Sequence, residues 1–158
     1  MGMGRSIACA LVALVALGAG CTGGEEARAQ PAKRAAKPKA PLVPPRDVAV
    51  AIRDATVGVL GDATEGAKVT PDREQLFYTL TLPEGGPAVD AEAVARTMVT
   101  AAIKTFMAAG HDPKVDWLNI HAFVDREAGT SPTGRPSVVQ LGHAWYDFSA
   151  DRIDFERD

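Results

Sequence analysis

The 158-residue chain has three histidines, at 111, 121 and 143, and an imidazole is the side chain best suited to hold a transition metal or move a proton near neutral pH. The segments around His121 and His143 both alternate apolar and polar residues, as strands do. Paired antiparallel with 121 opposite 143, they would set two rings about 5 Å apart, close enough for zinc or copper with a nearby carboxylate. A register shifted by one residue undoes this, and places Leu118, Ile120 and Val124 on one face with Val139, Leu141 and Trp145. The shifted pairing makes the better apolar core, so it is the expected one. His121 and His143 then remain secondary metal candidates, and no cofactor is expected. His111 follows the end of a predicted helix, where a cation meets the dipole favourably.

Asp147, Asp151, Asp154, Glu156 and Asp158 crowd the C-terminus. Their spacing does not match a calcium loop, which alternates its ligands around a central glycine, so turn formation and solvent-facing strand carboxylates account for them. Ser131, Ser137 and Ser149 lie in turns without a G-x-S-x-G elbow. The H-E-x-x-H pair and the phosphate-binding Walker loop are also missing. The motifs therefore point away from an enzyme. Trp117, Phe123, Trp145 and Tyr146 are a large share of the chain's few aromatics. Alternation puts Trp145 and Tyr146 on opposite faces of their strand, so a sheet covered on one side leaves one of them as a contact anchor. Arg126 and Arg135, within a loop expected at 126–137, are the charged residues that would join it.

Several elements must position these groups. Val48, Val50 and Ile52 alternate, and the reading is a strand at 47–53, extended after a kink by 56–60. GDATEGAKVTPDRE (61–74) is loop chemistry. Leu76, Tyr78, Leu80 and Leu82 share one side of a strand over 76–82. Asp90 is a good N-cap for a helix over 91–109, in which Val94, Met98, Val99, Ala102, Ile103, Phe106 and Met107 make one apolar stripe. Gly110 and Pro113 end it. Strands follow at 117–125 and 138–147, then a short one holding Ile153 and Phe155. The fold class is α+β, with one amphipathic helix on one face of a mostly antiparallel sheet of about five strands.

The chain has two cysteines. Cys9 lies in IACALVALVALGAG (7–20), a charge-free run behind Arg5, long enough for a signal-peptide core and too short for the roughly 20 residues of a membrane span. LGAG leads directly into Cys21. These residues resemble the lipobox of bacterial lipoprotein precursors, a resemblance confined to the first two dozen residues and departing from the common pattern at Gly18. It implies acylation of the Cys21 thiol, cleavage before it, and membrane lipid as a partner through that anchor. MGMGRS at the start also fits an N-myristoylation pattern, but the apolar run behind it speaks for export. Thr22 after the cysteine resembles the signal for outer-membrane delivery, facing the periplasm in a Gram-negative envelope; otherwise the exterior of the cell membrane is implied.

Residues 21–46 form a Pro-, Ala- and Lys-rich tether that cannot bury enough apolar area to fold, and at about 3.1 Å per residue it could hold a domain up to roughly 75 Å from a bilayer. The net charge of −3 is unevenly spread: residues 22–46 carry six Lys/Arg against two Glu, and residues 47–158 carry ten Lys/Arg against eighteen Asp/Glu. So acidic a domain argues against nucleic acid, which needs a clustered basic face. The resulting expectation is a signal peptide over 1–20, a tether over 21–46 and one α+β domain over 47–158. Its role would be binding or scaffolding toward an envelope protein or cell-wall component, with a metal-binding or hydrolytic domain using His121 and His143 as the alternative.

Overall fold

The computed structural model describes residues 42–72 and 76–158. The leader expected at 1–20, Cys21 and the tether up to residue 41 lie outside the described residues.

The first helix, α1 (Pro45–Leu60), stands where alternation predicted a strand. Two periodicities compete in this segment. Val48, Val50 and Ile52 suggest a period of two, whereas Val48, Ile52, Thr56 and Leu60 repeat every four residues and are buried, with Ala49 beside them; Val50, Val57 and Val59 stay exposed. The helical stripe wins because it can lie against a second helix, and because Ala49, Ala51 and Ala55 favour helix. Pro45 occupies the first turn, where its missing N–H has no partner to lose. Gly61, at φ 54°, closes the helix. Among the described residues, α1 thus takes in positions 45 and 46, which the sequence reading assigned to the tether.

A short 3-10 turn (Gly61–Thr64) leads to β1 (Lys68–Pro71) and β2 (Phe77–Leu82). Helix α2 (Ala91–Ala108) begins as anticipated: the Asp90 carboxylate accepts hydrogen bonds from the backbone N–H of Glu92 and Ala93, at 3.1 and 3.2 Å. β3 (His121–Thr130), β4 (Pro136–Asp147) and β5 (Arg152–Glu156) complete the chain. The five strands lie in sequence order, β1-β2-β3-β4-β5. Only β2 and β3, joined through α2, run parallel; the other neighbours are antiparallel. The α+β class and the mostly antiparallel five-stranded sheet are therefore as expected, but two helices, not one, cover the sheet.

Both helices contribute to a single core. Val48 and Ile52 of α1 meet Val94, Met98, Val99 and Phe106 of α2 over Tyr78, Leu80 and Leu82 of β2 and Ala122 and Val124 of β3. Each fully buried side chain of this size stabilises the fold by about 1.5–3 kcal/mol relative to exposure. Arg96 of α2 bonds Glu92 one turn back, at 2.8 Å, and donates to the Ile153 carbonyl, tying the helix to β5.

Three further expectations change. Residues 117–120 are not strand: Trp117, at φ 57°, closes a turn and stacks parallel on Phe148. The segment 126–137 is not an open loop, since β3 and β4 extend into it as a hairpin and leave only Ser131–Arg135 to turn. The β3–β4 register also differs from the one preferred above. His121 lies opposite Trp145 and Phe123 opposite His143, so Ala122, Val124, Ala144 and Tyr146 face the helices while Val139 stays exposed.

Candidate functional site

Because successive side chains alternate across a sheet, the same register that buries Ala122, Val124 and Ala144 sends His121, Phe123, His143 and Trp145 to the opposite face. Phe77 of β2 joins them, paired with His121 across the parallel β2–β3 ladder. No helix of the described residues packs on this face.

The five rings touch in series. Phe77 meets His121 edge-on, with centroids 4.6 Å apart at 68°. Phe123 and His143 are stacked at 4.3 Å and 2°, and His143 continues to Trp145 at 5.1 Å and 30°. His121 and His143 lie at 5.1 Å and 10° with Nδ1 of one 2.8 Å from Nε2 of the other. Offset stacks of this kind add about 0.5–1.5 kcal/mol per pair beyond area burial. All five rings are half-buried.

Charge around the row is negative. Glu156 of β5 pairs with His143 and Asp154 with Trp145, so both carboxylates emerge on the ring face. Burial lowers the His143 pKa, and Glu156 and Asp158 oppose that by favouring the cation. His121 is lowered by burial and then by His143 itself. Its Nε2 is buried without a hydrogen-bond partner. Asp125, farther along β3, is raised by burial and then by Asp158, and one of its oxygens is buried without a hydrogen-bond partner. Among the described residues, no three His, Cys, Asp or Glu side chains cluster closely enough to hold a metal ion.

The other residues singled out in the sequence are dispersed. Tyr146, on the opposite face from Trp145, is buried; its hydroxyl donates to Asp151 at 2.7 Å, and burial first and that bond second push its pKa up to about 12. Asp151 also accepts from Lys114, and Asp147 accepts from Ser149 and Ala150, so these two C-terminal acids serve the β4–β5 turn. Arg126 is turned inward, its guanidinium donating to the carbonyls of Gly86 and Pro87 and pinning the loop before α2. Arg135 sits exposed in the hairpin turn. His111 is buried beyond the end of α2, with Nδ1 3.1 Å from the Asp116 carboxylate and its ring edge-on to Phe106.

Sequence reasoning named Phe123, Trp145 and both histidines, but it missed Phe77 and the continuity of the row. The signal was present: in LFYTLTL, putting the leucines and Tyr78 inward leaves Phe77 outward. Compared with models of known protein families, with curated proteins and with solved structures, the chain matches none. Among the described residues, no helix is long and apolar enough to cross a membrane.

Proposed function

We propose that the protein is an exported, lipid-anchored envelope protein whose α+β domain is a binding module, and that the ring-bearing sheet face is its contact surface. The reading joins two independent supports. Cys21, behind an apolar leader that resembles a lipobox, would carry the acyl chains, and the basic, Pro-rich segment after it would act as a spacer. The observation that carries the binding role is the row of five half-buried rings on the face opposite both helices. Rigid aromatic side chains give large contact area for little lost entropy, which is why they dominate binding hot spots. The partner class is an envelope protein or cell-wall component, with Arg135 at the hairpin tip as an accessory contact. Nucleic acid is disfavoured by the acidic domain.

Two measurements test the reading separately. Growth with radiolabelled palmitate should label the protein and place it in the membrane fraction, and Cys21→Ala should abolish both; an unlabelled, cytosolic protein with an intact N-terminus rejects the anchor. For the surface, Trp145→Ala should weaken capture of envelope components by the purified protein, whereas Val50→Ser on the far side of α1 should not. Equal capture by all three proteins rejects the ring face.

A further inference from the structure

We infer that the ring face takes an extended, arginine-rich segment of a partner protein, with one guanidinium on Trp145 and others against the carboxylates that run beside the row. The inference rests on reading this face as the contact surface and is independent of the lipid anchor.

The face is strongly acidic. β3 places Asp125 and Glu127 on it, on the same alternation as His121 and Phe123, and β5 adds Asp154 and Glu156. Arg152 shares the face but is already bonded to Asp154 at 3.0 Å. Lys68 stands on the far edge strand, β1. Among the described residues, no cation pairs with Glu127, Glu156 or Asp158. Burial first and Asp158 second raise the Asp125 pKa, and one Asp125 oxygen is buried without a hydrogen-bond partner. A donor-bearing cation beside it relieves both costs. Burial keeps the two imidazoles below their ordinary value, so the row itself brings little positive charge at neutral pH.

Spacing sets the form of the partner. Along β4, Asp154 stands level with Trp145, Glu156 with His143, Asp125 with Gln140 and Glu127 with Val138. The steps are two residues on either side of the bulge at Leu141, which is the repeat of side chains on one face of an extended chain. At roughly 3.3 Å per residue the line is about 20 Å long. An extended segment with arginine at every second position brings one guanidinium to each level.

Ring geometry favours such a segment over a glycan. His143 stacks with Phe123 at 4.3 Å and with Trp145 at 5.1 Å, and His121 meets His143 nitrogen to nitrogen. Inner ring faces are thus turned to other rings, whereas a sugar chain needs a line of open ones. Trp145 ends the row, and among the described residues His143 is its one stacked partner. Tryptophan is the best cation–π ring. A planar guanidinium on the indole keeps its N–H fork free for the carboxylate of Asp154 on the neighbouring strand.

The test titrates the purified full chain with three short fluorescent peptides, serine alternating with arginine, with lysine or with glutamate. The arginine peptide should bind about threefold tighter than the lysine peptide, and the glutamate peptide should not bind. Raising salt from low to physiological strength should weaken the arginine complex roughly tenfold. Glu127→Gln with Glu156→Gln should weaken it by about tenfold, whereas Asp47→Asn with Asp54→Asn, the same charge change on α1, should alter it less than about twofold. Equal binding of the arginine and lysine peptides, binding indifferent to salt, or equal loss in the two double variants each overturns the inference. Capture of envelope components that needs Trp145 but is unaffected by Glu127→Gln with Glu156→Gln keeps the ring face as the contact surface and overturns its cationic partner. Capture indifferent to Trp145 overturns the contact surface itself.

Discussion

The two faces of the sheet are built from the same strands and differ by one residue in register, yet they have opposite chemistry. The covered face carries Leu80, Leu82, Ala122, Val124 and Ala144, with Tyr78 and Tyr146 as its polar members. The ring face carries imidazoles, a tryptophan and carboxylates. Helices explain the first: under the two packed helices, only groups that need no water are retained cheaply. On the second face, stacking takes the place of a covering layer, and titratable groups keep enough solvent to remain usable. One side of the sheet holds the molecule together, and the other is free to carry function.

The sharpest way to break this contrast is truncation on each side. Phe106→Ala, on the buried face of α2, should cost about 3–5 kcal/mol by chemical denaturation. Trp145→Ala should cost under about 2 kcal/mol, since its ring is only half-buried. Equal losses would mean that the ring face is core as well. Next comes Gly142, where an added methyl would meet the Phe155 ring at 2.6 Å and the Glu156 carbonyl at 3.2 Å. Gly142→Ala should therefore destabilise by about 1–3 kcal/mol, and Phe155→Leu in the same chain should recover part of that in a double-mutant cycle.

A smaller effect, of opposite sign, is expected at Tyr78. Its hydroxyl is buried without a partner and burial raises its pKa to about 12. Tyr78→Phe should stabilise by about 1 kcal/mol, because it removes an unsatisfied polar group and keeps the ring. A loss on thermal or denaturant unfolding would show that the hydroxyl is in fact satisfied.

The smallest effect is a pH dependence specific to the ring face. Burial holds His121 and His143 below the ordinary imidazole value in the folded chain; His143 adds to the shift at His121, whereas Glu156 and Asp158 oppose it at His143. Between the lowered folded value and the unfolded value near 6.5, the unfolded chain binds more protons, so stability should fall as pH drops through that window and level off below it. His121→Phe should flatten this part of the profile. Asp125 works the other way: its raised pKa means that ionisation opposes folding, so Asp125→Asn should be neutral or slightly stabilising at pH 7. A profile between pH 7 and 5 that is the same with and without His121 would remove the imidazole pair from the account.

Much of the fold was legible locally. The strand at 77–82 and the helix at 91–108 have one dominant periodicity each, and Asp90 marks the helix start by a hydrogen bond made within its own first turn. The segment at 45–60 was not, because Val48 and Ile52 fit periods of two and four alike and only the neighbouring α2 surface decides between them. Around the site, the residue types were legible but their partnership was not. Favouring bulk put Leu141, Val139 and Trp145 inside, whereas the core beneath α2 accepts small residues at Ala122, Gly142 and Ala144, with Phe155 filling the space over Gly142. Leu141 is the extra residue at a bulge between the Val124–Gly142 and Asp125–Gln140 pairs, so no single register describes the whole hairpin.

What the amino-acid order determined by itself was whatever depends on neighbours within a few positions: which stretches are periodic, where α2 is capped, which side chains of one strand point together, and which groups could bind a metal at all. Tertiary structure alone decided which strand lies beside which and in what register. Those choices depend on the volumes that opposing layers must fill, and a shift of one residue turns every side chain over. The nearness of His121 and His143 is such an outcome, set by small residues on the far side of the sheet.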